Sequence, residues 1–347
     1  MLKLVFNQLI SALEVVMLSD RQNKILKLIV ESYIRQAKPV SSNQLCKRLK
    51  CSSATVRSEM ASLEDLGFLE KTHTSSGRVP SEEGYRYYVD NLMEARKMNG
   101  EDMLKLQIIF HNQSLELSDC INKSLQVVSD MTSYTAIVLG KTSHENLLKE
   151  VRVVPLDTNH LIVIVVTDKG KVEHKNITLN NVSIEDIRKT VELINNLIVG
   201  TPIDEVSAKL EFEIKPIISK YVEGHQQLYN AIYNVFNDIT NTDINVVGRT
   251  KFLEQPEFDN VDKIKDLFKK LDDEEILQGI KKDDSNNIEV YIGSENKLDD
   301  DVTIIKTNFK TDSEDGTLAI IGPKRMEYDR VVSILEYLKE NIEKGSD

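Results

Sequence analysis

Apolar residues recur at helical spacing near the start of the chain. Four of them lie three or four positions apart, namely Ile25, Leu28, Ile29 and Tyr33. Ser19 precedes this set and is a favourable N-cap residue, whereas Pro39 follows it and cannot continue a helix. The pattern therefore predicts an amphipathic helix over residues 20–36.

A second, shorter helix is predicted after a polar run. Ser41 and Gln44 have the spacing of a capping box, in which each residue's side chain bonds the backbone amide of the other. Leu45 and Leu49 then face inward, so the predicted helix spans about two turns. Residues 50–51 form a tight connection to the next element.

A third helix is predicted over residues 53–66. Ser52 is placed to cap its first turn, and Gly67 supplies a left-handed stop after its last turn. Its inward stripe consists of Val56, Met60 and Leu63. Two short helices joined by a tight turn, with a longer helix before them, form the helix-turn-helix pattern, whose second short helix enters the major groove of DNA.

A β-hairpin is predicted after the third helix. Residues 68–72 have strand composition, residues 73–77 form a polar turn, and residues 78–80 return as a second strand. The hydroxyls, amides and Arg78 of this wing suit contacts with phosphates or the minor groove, although an ordinary solvated hairpin has the same pattern. Ser81 then caps a helix whose tyrosines we expect to pack inside the protein rather than stack on bases.

The remaining two thirds of the chain mix strands and helices. Residues 101–129 predict one packed helix rather than a coiled coil, because no clean heptad survives. Four β-rich runs predict four antiparallel strands, at 134–139, 147–154, 161–166 and 171–178. Helices are predicted from residue 183 to about residue 277, strands at 288–292, 302–307 and 317–321, and a closing helix over 325–343. This order indicates an α+β domain with a helical insertion.

The composition is that of an ordinary globular protein. Of 347 residues, 40% are hydrophobic and 29% are charged, which excludes collagen-like and disordered chains and predicts two or three domains. The three cysteines are an odd number and favour a reduced, cytoplasmic protein over a disulfide scaffold. No stretch approaches the roughly 18 apolar residues of a membrane span, so we expect no membrane partner. Residues 1–17 are interpreted as a short helical extension rather than a signal peptide, because polar residues interrupt the run.

The charge is distributed unevenly along the chain. The net charge of -12 argues at first against a nucleic-acid partner. Residues 18–98, however, carry 14 lysines and arginines against 10 acidic residues, and residues 32–58 carry no acidic residue at all. A solvated charge run would look the same, but this one coincides with the predicted helix-turn-helix. We interpret it as a basic face on an acidic protein.

Candidate DNA contacts lie on the third helix, at the helix starts and in the wing. With Val56 inward, Ala54 and Ser58 point outward. Their small size permits close backbone approach, and Arg57 can bond a guanine edge or a phosphate; the pattern leaves both roles open. The full set of candidates is Ser41, Ser42, Ser52, Ser53, Ala54, Thr55, Arg57, Ser58, Ser62, Lys71, His73, Thr74, Ser75, Ser76, Gly77 and Arg78.

Other chemistry is disfavoured by the spacing of the residues it would need. Residues 140–142 imitate the end of a phosphate loop, but Thr135 stands where an earlier glycine is required. Residues 283–294 begin like a calcium loop, but Ile288 stands at the position of the turn glycine. The histidines form no local ligand pair, and the cysteines lack zinc-site spacing. We therefore expect no catalytic residue, no metal and no cofactor, and we do not expect an enzyme.

Two sets of motifs in the chain carry a resemblance to a known family. The first set consists of Ser52 to Arg57, Met60 to Glu64, Gly67 to Leu69, His73 to Pro80 and Gly84 to Asp90. The second set lies far along the chain and consists of Pro256 to Phe258, Leu267 to Leu271, Val290 to Asn296 and Gly316 to Tyr328. Together these motifs resemble those of the HrcA family, the heat-inducible transcription repressors of bacteria. The resemblance covers residues 18–347 in order, with mild departures from the family pattern at Ser76, Lys324 and Glu327.

The resemblance implies a dimeric repressor of chaperone operons. Such a repressor binds an inverted-repeat operator called CIRCE in double-stranded DNA, and a GroEL-type chaperonin maintains its active form. The implied fold is a winged helix joined to a GAF-like domain that a dimerisation domain interrupts. The expected organisation is an extension at 1–17, the winged helix at 18–98, the GAF-like domain at 99–199 and 261–347, and the dimerisation insert at 200–260.

A competing hypothesis keeps the same architecture but changes the signal. In it, a small-molecule effector bound in the GAF-like domain sets the activity of the winged helix. A cavity for such an effector would be built from scattered apolar residues, which leave no motif in a sequence.

Overall fold

The structure is a computed structural model that contains two compact units. It describes residues 17–71, 77–94, 96–112, 115, 117–142, 146–157, 159–168, 170, 172–178, 183–217, 229–230, 232–234, 236, 244–281, 285, 287–311 and 314–344. The first unit consists of Met1–Lys97, Tyr291–Thr303 and Gly322–Val331, and the second unit of the remaining residues. Among the described residues, no helix is both long and apolar enough to cross a membrane.

The first helix of the first unit confirms the prediction made from its apolar spacing. Helix α1 spans Asp20–Gln36, and the Ser19 hydroxyl accepts a hydrogen bond from the Gln22 amide at 3.3 Å. Ala37, with φ of 49°, ends the helix in the left-handed conformation. The buried face carries Ile25, Leu26, Ile29 and Val30, which are fully inaccessible to solvent.

The next two helices form the predicted helix-turn-helix pair. Helix α2 spans Ser42–Leu49, and the Ser41 amide donates to Gln44 Oε1 at 2.7 Å, as the capping-box spacing predicts. Helix α3 spans Ser53–Asp65 and begins at the N-cap Ser52. Its buried residues are Val56, Met60 and Leu63. The left-handed turn that follows is made by Gly67, with φ of 84°.

The wing is a two-stranded antiparallel hairpin. Strand β1 spans Leu69–Lys71 and pairs with strand β2, which spans Arg78–Pro80. Helix α4 spans Glu82–Tyr87 and continues as a π-helical segment over Tyr88–Leu92. A side chain at Gly84 would overlap the carbonyl oxygen of Phe68, so this helix packs tightly against the start of the hairpin.

The second unit contains most of a five-stranded sheet. The strands of this sheet are β3 at Thr135–Thr142, β7 at Ile244–Val247, β8 at Glu289–Ile292, β9 at Val302–Lys310 and β10 at Glu314–Pro323, in the order β7-β3-β10-β9-β8. The helices of the second unit include α5 at Gly100–Phe110, α6 at Leu117–Thr132, α9 at Val261–Asp272, α10 at Glu274–Gln278 and the greater part of α11, which spans Tyr328–Lys344. The single helix predicted over 101–129 is wrong. Helix α5 ends where the polar residues His111 and Asn112 interrupt the apolar pattern.

A second sheet holds three of the four strands predicted between 134 and 178. Strands β4 at Leu148–Pro155, β5 at His160–Thr167 and β6 at Val172–Thr178 form an antiparallel meander. Helix α7 at Ile184–Ile198 and helix α8 at Ile203–Lys209 share its apolar core. The prediction that β3 joins these strands is wrong. Residues 134–139 are buried without alternation, which is typical of a central strand with neighbours on both sides.

The mixed composition of helices and sheets confirms the predicted α+β class, with a winged helix at the N-terminal end. The core that includes β4, β5, α7 and α8 gathers buried residues from Leu148 to Phe236. The domain limits expected at residues 99, 200 and 261 remain predictions.

Candidate nucleic-acid interface

The outer face of α3 is exposed and carries small or polar side chains. Ala54, Arg57, Ser58 and Ala61 are all exposed, while the opposite stripe of the helix is buried. The spacing of these four positions places them on one face of the helix. Two alanines and a serine leave the backbone accessible, and the arginine supplies a cation that can bond base edges or phosphates. This face therefore has the shape and chemistry that a major groove requires.

The N-terminus of α3 is held by a local hydrogen-bond pair. The Ser52 hydroxyl accepts from the Thr55 amide at 3.1 Å and lies 2.9 Å from the Thr55 hydroxyl. Ser52 is exposed and Thr55 is half-buried. Both residues remain near the solvent side of the first turn, where the helix dipole attracts phosphate. Ser41, the half-buried N-cap of α2, bonds differently: its amide and its hydroxyl both donate to Gln44 Oε1, at 2.7 and 3.1 Å.

Three of the predicted contact serines have partners inside the protein. The Ser42 hydroxyl is buried and lies 3.2 Å from the Ser53 hydroxyl, which in turn donates to Asn43 Oδ1 at 2.9 Å. The Ser62 hydroxyl accepts from Gln22 Nε2 at 3.2 Å. Ser42 and Ser53 therefore connect α2 to α3, and Ser62 connects α3 to α1. These contacts fix the geometry of the helices that carry the exposed face.

The base of the wing is bonded to α3 and to the linker between α1 and α2. Arg78 Nε donates to Glu64 Oε2 at 2.6 Å, and the Arg78 side chain is only 14% exposed. Its backbone exchanges two hydrogen bonds of 2.9 Å with Val40, in the linker between α1 and α2. Gly77 is buried against Pro39, where an added Cβ would lie 2.8 Å from Pro39 Cβ. Arg78 and Gly77 therefore make contacts within the protein that support the structure of the wing.

The tip of the wing lies outside the described residues. The candidates His73, Thr74, Ser75 and Ser76 fall there, and their contribution to DNA contact remains a prediction. Lys71, at the end of β1, is exposed.

Exposed cations beside α3 extend the candidate surface. Lys47 and Arg48 in the last turn of α2 and Lys50 in the following turn are exposed. None of the three forms an ion pair with another described residue, whereas Arg35 pairs with Glu31 at 3.6 Å. These three residues are absent from the candidates that the sequence indicated. The signal that identifies them is the run from residue 32 to 58 without acidic residues.

The described residues offer no metal site. Within them, no group of three or more histidine, cysteine or acidic side chains could hold an ion. The cysteines Cys46, Cys51 and Cys120 are all free.

Two family models match two separate parts of the chain. A model of a helix-turn-helix domain matches residues 21–86, and a model described as the HrcA protein C terminal domain matches residues 118–332. The chain is 37% identical, over 333 residues, to the heat-inducible transcription repressor HrcA of Bacillus pumilus. That match covers 94% of this chain and 97% of the relative.

A solved structure shares the fold over nearly the whole length. The crystal structure of a hypothetical protein superposes with a TM-score of 0.64 and 23% sequence identity, and the match covers 95% of this chain and 98% of the other. At this sequence identity, the similarity to the solved structure concerns the fold alone. The match to the HrcA C-terminal model and the full-length relative show that the chain belongs to the HrcA family.

Proposed function

We propose that this protein is a homodimeric repressor of chaperone operons that binds an inverted-repeat operator of the CIRCE type. Its helix-turn-helix domain and its relative, a heat-inducible transcription repressor, make it a DNA-binding regulator of transcription and not an enzyme. The observation that carries the proposal is the exposed face of α3, with Ala54, Arg57, Ser58 and Ala61 presented to solvent by a buried opposite stripe.

The proposed contacts divide into groove readers and phosphate binders. Helix α3 enters the major groove, where Arg57 and Ser58 reach base edges and the alanines allow close approach. Lys47, Arg48 and Lys50 neutralise phosphates on the flanking backbone. The wing, with Lys71 at its edge, contacts the backbone beside the groove.

Dimerisation follows from the size of one recognition helix. A single helix reads only a few base pairs, whereas two helices about 34 Å apart, or a multiple of that distance, read both halves of a palindrome. A dimer therefore supplies the specificity that a repressor requires. In the proposed cycle, a GroEL-type chaperonin in the cytoplasm maintains the operator-binding form, so that chaperone availability controls repression.

The first experiment is a footprint on the upstream regions of chaperone operons, followed by gel-shift titration of the protected duplex. Arg57→Ala should lower operator affinity by about 1 to 3 kcal/mol if the arginine bonds a base, with relaxed specificity at that base pair. An equal loss on all sequences would assign Arg57 to a phosphate. Arg188→Ala is a matched control, since Arg188 is an exposed arginine on α7. Absence of any shift on palindromic duplexes at low salt would contradict the proposal.

The chaperonin is tested in the same assay. Purified GroEL-type chaperonin should increase the fraction of protein that shifts the operator duplex, and a chaperonin-free sample should lose that fraction with time. An operator affinity and active fraction that are unchanged by the chaperonin would contradict its part in the cycle.

A further inference from the structure

Strand β4 is an edge strand whose outer side faces helix α7. In the order β4-β5-β6 it has one neighbouring strand, so alternate residues direct their backbone groups away from the sheet. Asn195 of α7 bonds one of these residues. Its amide nitrogen donates to the Val151 carbonyl oxygen and its oxygen accepts from the Val151 amide, both at 2.8 Å. The Asn195 side chain thus takes the place that a neighbouring strand would have at Val151.

Two residues further along, the same edge is open. The Leu156 amide donates to the His160 carbonyl oxygen at 2.8 Å, which fixes the alternation along this part of the strand. The N–H and C=O of Val153 therefore point outward like those of Val151, and no described residue bonds them. Pro155, the next residue on this side, offers a carbonyl oxygen but no N–H. The edge thus keeps one complete donor and acceptor pair, at Val153.

An apolar groove lies between this edge and α7. Its volume is about 530 Å³, within the range of about 300 to 1,000 Å³ that is typical of ligand sites. Residues 150–155 of β4 form one wall and span about 20 Å. Ile184 is 70% exposed and Val154 is 42% exposed, so the groove presents apolar surface to solvent. The apolar residues that line it include Val151, Val153, Val154, Ile184, Ile187 and Val191.

The charges around the groove cancel. Two acidic and two basic residues line it. On the strand side, Arg152 Nε donates to Glu150 Oε1 at 2.7 Å, and this hydrogen bond lowers the pKa of the Glu150 carboxyl. Both members of the pair therefore stay charged near pH 7. A rim without net charge does not attract phosphates or a strongly charged partner, and it suits an uncharged occupant.

We propose that this groove binds an extended, uncharged apolar peptide segment of another protein, which adds a strand to the edge of β4. One residue of the segment exchanges two backbone hydrogen bonds with Val153. The side chain of that residue lies on the same face as the Val153 side chain and enters the groove beside Ile184 and Val191. Asn195 limits the added strand, since it already bonds the next outward residue.

A second copy of this chain is a poorer occupant of the groove. In a twofold contact, the same surface of each copy meets itself. Two facing grooves would leave the space of both unfilled, whereas a peptide strand projects its side chains into one groove. The open backbone pair at Val153 also calls for a backbone partner, which a small apolar molecule lacks.

Fluorescence anisotropy on the full-length protein tests the site. The probe is an amidated hexapeptide, labelled with a fluorophore at its N-terminus, in which valine alternates with threonine. We expect saturable binding. The same peptide N-methylated at its valines should bind about 3- to 10-fold more weakly, because it lacks the donor to the Val153 carbonyl oxygen.

Two variants test the protein side of the groove. Ile184→Glu places a charge at an exposed position of the wall and should weaken probe binding about 10-fold. Val153→Pro removes the N–H that the peptide carbonyl needs, and Pro155 shows that this strand accepts proline on the same side. Val172→Glu is the matched control, since Val172 is a 58% exposed apolar residue on β6, and it should bind the probe as the wild type does.

Several outcomes would overturn the proposal. Absence of saturable binding does so directly. Equal binding of the N-methylated peptide indicates apolar contact without strand pairing, and equal binding by Ile184→Glu places the peptide elsewhere. Sedimentation velocity covers the second copy, because a probe that dissociates a dimer as it binds would assign the groove to that copy. None of these measurements contains DNA, so their failure leaves the proposed function standing.

Discussion

The ion pair between Arg78 and Glu64 decides whether Arg78 serves the wing or the DNA. Its N–O distance is 2.6 Å, and the two side chains are 14% and 31% exposed. A hydrogen bond between charged groups contributes about 1.5 to 3 kcal/mol, and partial exposure of Glu64 reduces that value. Arg78→Ala should therefore lower the free energy of local opening at the base of the wing by about 1 to 2 kcal/mol.

The Val40 amide reports this opening directly. It donates to the Arg78 carbonyl oxygen at 2.9 Å, so a loss of about 1 to 2 kcal/mol accelerates its hydrogen exchange about 5- to 30-fold. Arg188→Ala is the control and should leave the rate unchanged. The reasoning is refuted if exchange at Val40 stays constant in Arg78→Ala while operator affinity falls and the salt dependence of binding decreases by about one phosphate contact. That pattern would place Arg78 on the DNA.

Three further predictions concern caps, phosphates and a strand edge. Ser52→Ala removes the N-cap of α3 and should lower its local stability by about 1 kcal/mol, measured by exchange of the first-turn amides. Lys47→Gln should weaken binding equally on all sequences and reduce the salt slope by about one, whereas Lys189→Gln on α7 should change neither. The Asn195 side chain bonds the amide and carbonyl of Val151 at 2.8 Å each, so Asn195→Ala should accelerate exchange at Val151, with about 1 to 3 kcal/mol lost. A constant rate there would contradict that assignment.

The helices of the winged domain could be predicted because their signals are local. Ser19, Ser41 and Ser52 lie at the N-caps that their neighbours in the sequence indicate, and the inward stripes have regular spacing. Capping and helical periodicity involve residues within four positions of one another. Such interactions are visible in the order of the residues alone.

The roles of the serines could not be separated in the same way. Ser42, Ser53 and Ser58 have the same hydroxyl and lie in the same short region, but only the folded chain shows that the first two bond each other and that Ser58 is exposed. A hydroxyl that bonds another helix and a hydroxyl that is exposed to solvent have identical composition. Their difference depends on contacts between elements.

Sheet membership depended on partners far away in the chain. Strand β3 pairs with β10, and residue Leu139 lies opposite Thr317. Strand β5 pairs with its immediate neighbours and alternates between buried and half-buried positions. The strands of the meander are neighbours in the sequence, so their pairing could be predicted. The placement of β3 depends on pairing with β10, which lies more than half of the sequence away.

The serines that bond between helices are distinct from the exposed residues of α3, and this has a consequence for engineering the sequence specificity of the protein. The hydrogen bonds that join α1, α2 and α3 through Ser42, Ser53 and Ser62 use none of the four exposed positions of α3, so exchanges at Ala54, Arg57, Ser58 and Ala61 remove no partner of these bonds. These four codons can be randomised as a library against altered half-sites while the supporting framework is kept. Repressors with new and mutually independent targets would then differ from this one at a single helix face.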